Sequence, residues 1–329
     1  MDTTIIAEFC QNHNGDFETL ERMVAQAAQS GATHGKIQHI FARNLTFRPE
    51  FENGLIVGGE TLCIKRPYGP EYSRLKSLEI SLERARKFVQ LCKREGLVPM
   101  TTCFDRGSIE EIAELGFDTV KVASYDCGSF QMLRELSHHF DHLVISTGGT
   151  FDSEIKYAAK VLAKKTFTFL HCVSIYPTPL DLLCLARMNF LKQYTSRVGF
   201  SDHSDSARHG ALASKLALFL GAEVIERHFT ILPADETKDG RVSINPEQLS
   251  DLVKFAHLSR SDQADIISKE WPDWQIGVGQ EDRQLSEEER LNRGYYRGRF
   301  ATPRPESSGG RDMVFNWEET PFIDEQGKI

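Results

Sequence analysis

Residues 197–230, RVGFSDHSDSARHGALASKLALFLGAEVIERHFT, decide how the chain is read. Two short apolar runs, RVGFSD and EVIERHF, each close on a polar cluster that holds a histidine. The clusters are Ser201-Asp202-His203 and Glu226-Arg227-His228, and a helix-like segment lies between them. Run, helix, run is the βαβ unit of a parallel sheet. Neighbouring parallel strands end on the same edge, so His203 and His228 are expected to face each other across the ~5 Å spacing of adjacent strands.

The same alternation extends to the rest of the chain. Six further runs rich in Val, Ile, Phe and Thr precede this pair: TTIIAEFC, HGKIQHI, VPMTTCF, TVKVAS, HLVISTG and FTFLHCVS. Helical segments separate them. One opens at Asp16 and stops at Gly31, a second opens at Ser81 and stops at Gly96, and a third carries the capping-box pair Ser108 and Glu111. Eight runs alternating with helices fit a closed (β/α)8 TIM barrel with no strand left over. A doubly wound open sheet also alternates, but no GxGxxG follows the first run. The Pro- and Gly-punctuated stretch 41–77 is expected to be a long second βα loop over a site. The barrel domain is expected over residues 1–260, with a short irregular tail over 261–329.

Composition narrows the function classes. The net charge is −8, and no basic patch is visible for nucleic acid or an anionic membrane. No apolar run approaches the roughly 18 residues of a membrane span, and MDTTIIAEFC lacks the basic and apolar regions of a secretion signal. Seven cysteines without a CxxC read as reduced thiols in a cytoplasmic protein.

A βα barrel does its chemistry at the C-terminal ends of its strands. Those ends hold Glu8, then Lys36 and Gln38, then Lys121 with Ser124 and Asp126, and then Ser146 before Gly148-Gly149. Next come His171, Ser174 and Tyr176, and last the two histidine clusters, with Ser201 in the first. Lysines within apolar strands must meet negative charge. Buried pairs with Glu8, Asp126 or Glu226 would serve, and so would an anionic ligand. The small residues and glycines of STGGT, ahead of a helix opening at Asp152, favour a phosphate or carboxylate. The two imidazoles suit a divalent ion of the Mn²⁺, Fe²⁺, Zn²⁺ or Co²⁺ type better than Mg²⁺ alone. Otherwise one histidine is a base and the other a hydrogen-bonded core residue.

These stretches carry a resemblance. IAEFCQNHNGD, GKIQ, TTCFDRGSIEEIAELGFDTVKVAS, ISTGG, LHCVSIYPTP, GFSDHS, GAEVIERHFT and INPEQL occur in order across residues 5–255, and together they resemble the sialic acid synthase family. The resemblance implies a TIM barrel that condenses phosphoenolpyruvate (PEP) with an N-acylmannosamine-type sugar. PEP would be held by Lys36, Lys121, Ser124, Ser146 and Ser201. A divalent metal would sit on His203 and His228, Mn²⁺ by family habit with Mg²⁺ or Co²⁺ as alternatives. The sugar would meet Glu8, Gln38, Tyr176 and Asp239, with KDGRVS standing for the family's Pro-Asp-His loop. Glu8, Asp126 and His228 are the implied catalytic groups, and Asp126 stands where the family has glutamate.

Departures lie mainly on the acceptor side. Ser174 replaces an asparagine and Gly149 a methionine. The family's homodimer uses a C-terminal antifreeze-like domain to supply an arginine to the partner's sugar site. Residues 261–329 are expected to be too short for that domain, and Arg297 or Arg299 of RGYYRGRF is the expected substitute. Two rival readings stand beside this one. The first is a PEP aldol-type synthase for a sugar phosphate, for which the 41–77 stretch offers Arg43, Arg48, Lys65 and Arg66. The second is a non-catalytic barrel that binds PEP or a sugar acid.

Overall fold

The computed structural model describes residues 3–304 and 312–318. Eight parallel strands close into a barrel: β1 (Thr4–Cys10), β2 (His34–His39), β3 (Val98–Cys103), β4 (Thr119–Val122), β5 (His142–Ser146), β6 (Thr166–Cys172), β7 (Val198–Asp202) and β8 (Val224–Phe229). Each strand pairs with the next in sequence, and β8 returns to β1 with His228 level with Glu8. All eight coincide with the runs read from sequence.

The interior is layered by the two-residue period of the strands. Ile6, Met100, Val144, Leu170 and Val224 form a small apolar cluster inside the barrel. Gly199 belongs to that level: a Cβ on it would lie 2.1 Å from the Val224 carbonyl oxygen. Two residues further along the same strands stand Glu8, Thr102, Ser146, Cys172, Ser201 and Glu226. The apolar layer is therefore a plug beneath a polar floor. The outward-facing residues of the strands, such as Ile5, Ala7 and Phe9, pack into the large cluster that the surrounding helices cover.

Helix starts follow local chemistry. The Asp16 carboxylate accepts from Glu18 and Thr19 N–H and caps helix Phe17–Gln29, and Ser81 caps Leu82–Arg94. The expected capping box at Ser108 and Glu111 does not form. The Ser108 hydroxyl instead donates to the buried Asp105 carboxylate at 2.8 Å, and Glu111 meets His39 Nε2 at 2.9 Å. The buried Asp105 carboxylate thus takes the hydroxyl that would otherwise cap the helix.

The second βα loop contains an antiparallel hairpin, Leu55–Val57 with Glu60–Cys63, and a helix, Tyr68–Leu78. The segment after residue 260 is less irregular than its sequence suggested. It forms helices Arg260–Glu270, Gln275–Val278 and Glu287–Tyr296, followed by an antiparallel pair, Ala301–Pro303 with Met313–Phe315. Ser286 and Glu289 make a capping box for the third of these helices, a signal hidden in a highly charged stretch. That helix crosses the C-terminal face of the barrel. Arg293 donates to the Gly149 carbonyl at 2.7 Å and to Glu154 at 2.6 Å, and Asn292 donates to the Ser174 carbonyl at 3.0 Å. Glu289, fully buried, accepts from Arg283 and from Ser286 N–H. No helix among the described residues is long and apolar enough to cross a membrane.

Candidate active site

A cavity of about 420 Å³ opens at the C-terminal ends of the strands. Of the residues expected in a site, it is lined by Glu8, Lys36, Gln38, Lys121, Ser124, Ser146, Tyr176, Ser201, His203, His228 and Asp239. Two expected residues do not line it. Ser174 lies buried behind the Gly148-Gly149 turn, where a Cβ on Gly148 would come within 2.5 Å of its Oγ. Asp126 lies in a small hollow next to the cavity, beside Tyr125, Tyr296 and Asn316. Its Oδ1 accepts from Asn316 Nδ2 and from Ser129 Oγ, each at 2.9 Å. Burial raises its carboxyl to about 6 against those two hydrogen bonds. The hydrogen bonds make Asp126 an anchor of the segment around residue 316, outside the main cavity.

The floor is ionic. Lys36 Nζ bonds to the Glu8 carboxylate, donates to Thr102 Oγ1 at 3.0 Å and lies 3.5 Å from Glu226 Oε2. Lys121 Nζ donates to the Val122 carbonyl at 2.9 Å and stands 4.0 Å from Glu226 Oε1, which also accepts from Ser201 Oγ at 3.0 Å. The strand lysines thus meet Glu8 and Glu226, and Asp126 has no part in their pairing. Burial opposes the charge on Glu226, but Lys121 and then Lys36 prevail and hold its carboxyl down at about 2. Burial brings Lys36 down to about 8 despite Glu226. The floor therefore carries two cations against two anions. Lys121 is the cation with N–H directions to spare, and the buried Ser146 hydroxyl has no hydrogen-bond partner. A buried donor left open beside a lysine is a place for an anion's oxygen.

Above the floor the two histidines meet as their strand ends predict, with ring centroids 5.3 Å apart and planes at 72°. Burial, the largest cause for each, holds both below the usual imidazole range, so both are neutral. Neutral rings are what a metal needs. His228 Nδ1 is buried without a hydrogen-bond partner, 3.9 Å from Asp239 Oδ2. The orphaned nitrogen, the opposed ring and the nearby carboxylate fit a divalent ion. The Tyr176 ring lies against His203, centroids 4.2 Å apart and planes tilted by 42°.

The rim joins Arg66 and Arg299, both named from sequence, to Arg74, Lys238 and Tyr296, which carried no sequence signal. Arg74 comes from the loop helix and pairs with Glu71, which also takes Arg299 from the tail. Arg66 and Lys238 line the same wall. Tyr296 stacks on Tyr125 at 5.1 Å and continues this wall, with the Arg299 guanidinium over its ring. Of the two tail arginines considered, Arg299 lines the cavity, whereas Arg297 turns away to Glu154 at 3.0 Å and to the Trp317 ring. A second cleft, of about 230 Å³, lies behind β5 and β6, where Arg187 and Arg283 are paired with Asp152 and Glu289.

Comparison with known proteins agrees with this architecture. Residues 23–265 match the family model described as the NeuB family. The chain is 28% identical to the N,N'-diacetyllegionaminic acid synthase of Campylobacter jejuni, covering 92% of this chain and 90% of that one. It is 31% identical to the enzyme of the same name from Legionella pneumophila, covering 77% and 71%. Among solved structures, the N-acetylneuraminic acid synthetase of Leptospira borgpetersenii, in complex with citrate, superposes with a TM-score of 0.66 at 26% identity, covering 89% of this chain and 91% of that one. Family model, relatives and barrel agree, and the chain belongs to the NeuB family of sialic acid synthases.

Proposed function

We propose that this chain is a PEP-dependent synthase that joins PEP to an acylated amino sugar, giving a nonulosonic 2-keto-3-deoxy acid and inorganic phosphate. The observation that carries the reading is the floor itself. Lys36, Lys121, Ser124, Ser146 and Ser201 converge from four strand ends, with one buried hydroxyl unpartnered, beneath two facing neutral histidines. PEP brings a phosphate and a carboxylate, and this floor offers donors for both.

A divalent metal held by His203 and His228, when bound, would polarise the aldehyde of the acceptor. The rest falls to the chain. Lys121, Ser124 and Ser146 grip the phosphate, and Lys36 and Ser201 orient the carboxylate, so that C3 of PEP faces the aldehyde carbon. Bond formation leaves positive charge at C2. Glu8 and Glu226 lie on either side of Lys36, and their negative charge stabilises the positive charge as it develops. Glu8, fixed by the Cys10 N–H at 2.7 Å, is the base at hand for the water that adds to C2. The resulting hemiketal expels phosphate. Gln38, Tyr176, Asp239, Tyr296 and Arg299 line the space above the floor and meet the sugar there. Arg299 comes from the chain's own tail, so the arginine reaches the sugar without a second subunit. All seven cysteines are free thiols, which suits the cytoplasm.

A second reading has its own support. Arg66, Arg74, Lys238 and Arg299 stand on one rim, and a phosphate on the acceptor would be received there. One assay separates the readings: phosphate release from PEP with a panel of N-acylhexosamines and their phosphates, with and without EDTA. Chelator-sensitive release with a neutral amino sugar supports the first reading. Release only with phosphorylated sugars moves the function to the second, and silence across the panel leaves a binding protein.

A further inference from the structure

Cys10 ends β1 with φ +40, in the left-handed region that side chains other than glycine rarely occupy. It is 1% exposed, yet it belongs to none of the apolar clusters. A Cβ-bearing residue held in that conformation calls for a compensating contact. Its surroundings supply one. The Cys10 Sγ, a ring nitrogen of His228 and a carboxylate oxygen of Asp239 all lie within 4.8 Å of one another. Ligand atoms on a single ion with bonds of roughly 2.0–2.3 Å lie up to about 4.6 Å apart, which is the scale of this cluster. His228 supplies the independent pointer: its Nδ1 is buried and has no hydrogen-bond partner.

We infer that Cys10 is a thiolate ligand of the active-site metal, together with His228 and Asp239. This rests on the metal-assisted reading above and shares His228 with it, but sets Cys10 and Asp239 beside that ring where the reading above has His203, which does not join the group. Two neutral imidazoles leave the charge of a divalent ion uncompensated in a buried place, whereas a thiolate and a carboxylate neutralise it. The thiol proton is released to solvent as the ion binds. Sulfur also shifts selectivity, because a Cys–His–Asp set favours Zn²⁺, Co²⁺ or Fe²⁺ over Mn²⁺ and Mg²⁺. Cys172 is the competing thiol, 3.7 Å from His203 Nδ1, but no third ligand joins that pair among the described residues.

The test reads the metal directly. The full chain is loaded with one equivalent of Co²⁺ for absorption spectra, and with one equivalent of Zn²⁺ for X-ray absorption. The wild type is expected to show a near-ultraviolet thiolate-to-cobalt charge-transfer band and a zinc–sulfur shell at about 2.3 Å. Both should be lost in Cys10→Ser and kept in Cys172→Ser. A wild-type centre with only nitrogen and oxygen ligands overturns the inference whether or not the variants fold, as does a band that disappears only in Cys172→Ser. Phosphate release from PEP, measured on the same wild-type samples, separates this from the functional reading. Turnover without a sulfur ligand leaves the synthase standing and removes the thiolate. A sulfur ligand without turnover does the reverse.

Discussion

Lys36 and Arg299 present cations to the same cavity and reach it by opposite routes. Lys36 stands in the middle of a strand, 2% exposed, tied to Glu8, Thr102 and Glu226. Its position is set by barrel register, with Glu8 and Met100 as its neighbours on the flanking strands. Arg299 arrives from a tail that crosses the barrel mouth and is held by the Thr46 N–H to its carbonyl at 3.0 Å and by Glu71. The floor is therefore part of the folding core and the rim is an attachment to it. Substitutions in the floor should cost stability as well as activity. Those in the rim should change the choice of acceptor and little else.

The largest expected effect follows from the floor's charge balance. Lys36→Met leaves Glu8 without its lysine and Glu226 with Lys121 alone, at 4.0 Å. Breaking a buried pair from one side costs roughly 3–5 kcal/mol, which urea denaturation will read as a lower midpoint. A midpoint close to wild type would mean that the floor is not structural. Lys121→Ala should separate the two properties. Glu226 keeps Lys36 at 3.5 Å, so most of the stability survives. The phosphate loses its freest donor, and kcat/KM for PEP should fall roughly 10²–10³-fold. An unchanged KM and kcat for PEP would remove Lys121 from the phosphate's contacts.

Asp126 belongs to neither region and sharpens the contrast. Its native carboxyl is raised to about 6, chiefly by burial, against about 3.9 in an unfolded chain. The folded state binds the proton more tightly, so the stability this group contributes is present below about pH 4 and is lost as pH rises through 6. Asp126→Asn has no such titration. Relative to wild type it should gain on the order of 2–3 kcal/mol between pH 4 and pH 7, with kcat unchanged within about twofold. A collapse of kcat with normal stability would return Asp126 to the catalytic groups.

The same division explains what the sequence made legible. The floor was readable because strands impose a period of two: a polar residue two positions beyond an apolar one, as in Ile6 and Glu8 or Val144 and Ser146, must share its face. The partners of the lysines were readable only as alternatives, since periodicity gives the face but not the neighbour across the barrel. The place of Asp126 was not legible because it lies past the end of β4, in a single turn of 3-10 helix (Ser124–Asp126) where the strand period no longer applies. The rim left no trace of this kind. Arg74, Lys238 and Tyr296 lie on three separate loop or tail elements, and only the folded chain brings them together. The tail helix itself was concealed because its buried residues include Glu289 and Arg293, which an apolar pattern cannot reveal.

Arg299→Ala should have the smallest of these effects and the most selective one. The guanidinium lies over the Tyr296 and Phe300 rings and shares Glu71 with Arg74. Removing it leaves Glu71 half-buried and still bridged by Arg74 at 2.9 Å, so no unpaired buried charge remains and the melting temperature should hold. The sugar loses one charge-assisted hydrogen bond, worth about 1.5–3 kcal/mol. That predicts an acceptor KM raised at least roughly tenfold with the KM for PEP unchanged. Arg297→Ala is the control, because its partners are Glu154 and Trp317, away from the cavity. Equal acceptor kinetics in the two variants would show that the tail closes the barrel without reading the sugar. A rise in the PEP KM with Arg299→Ala would join rim to floor and end the distinction between them.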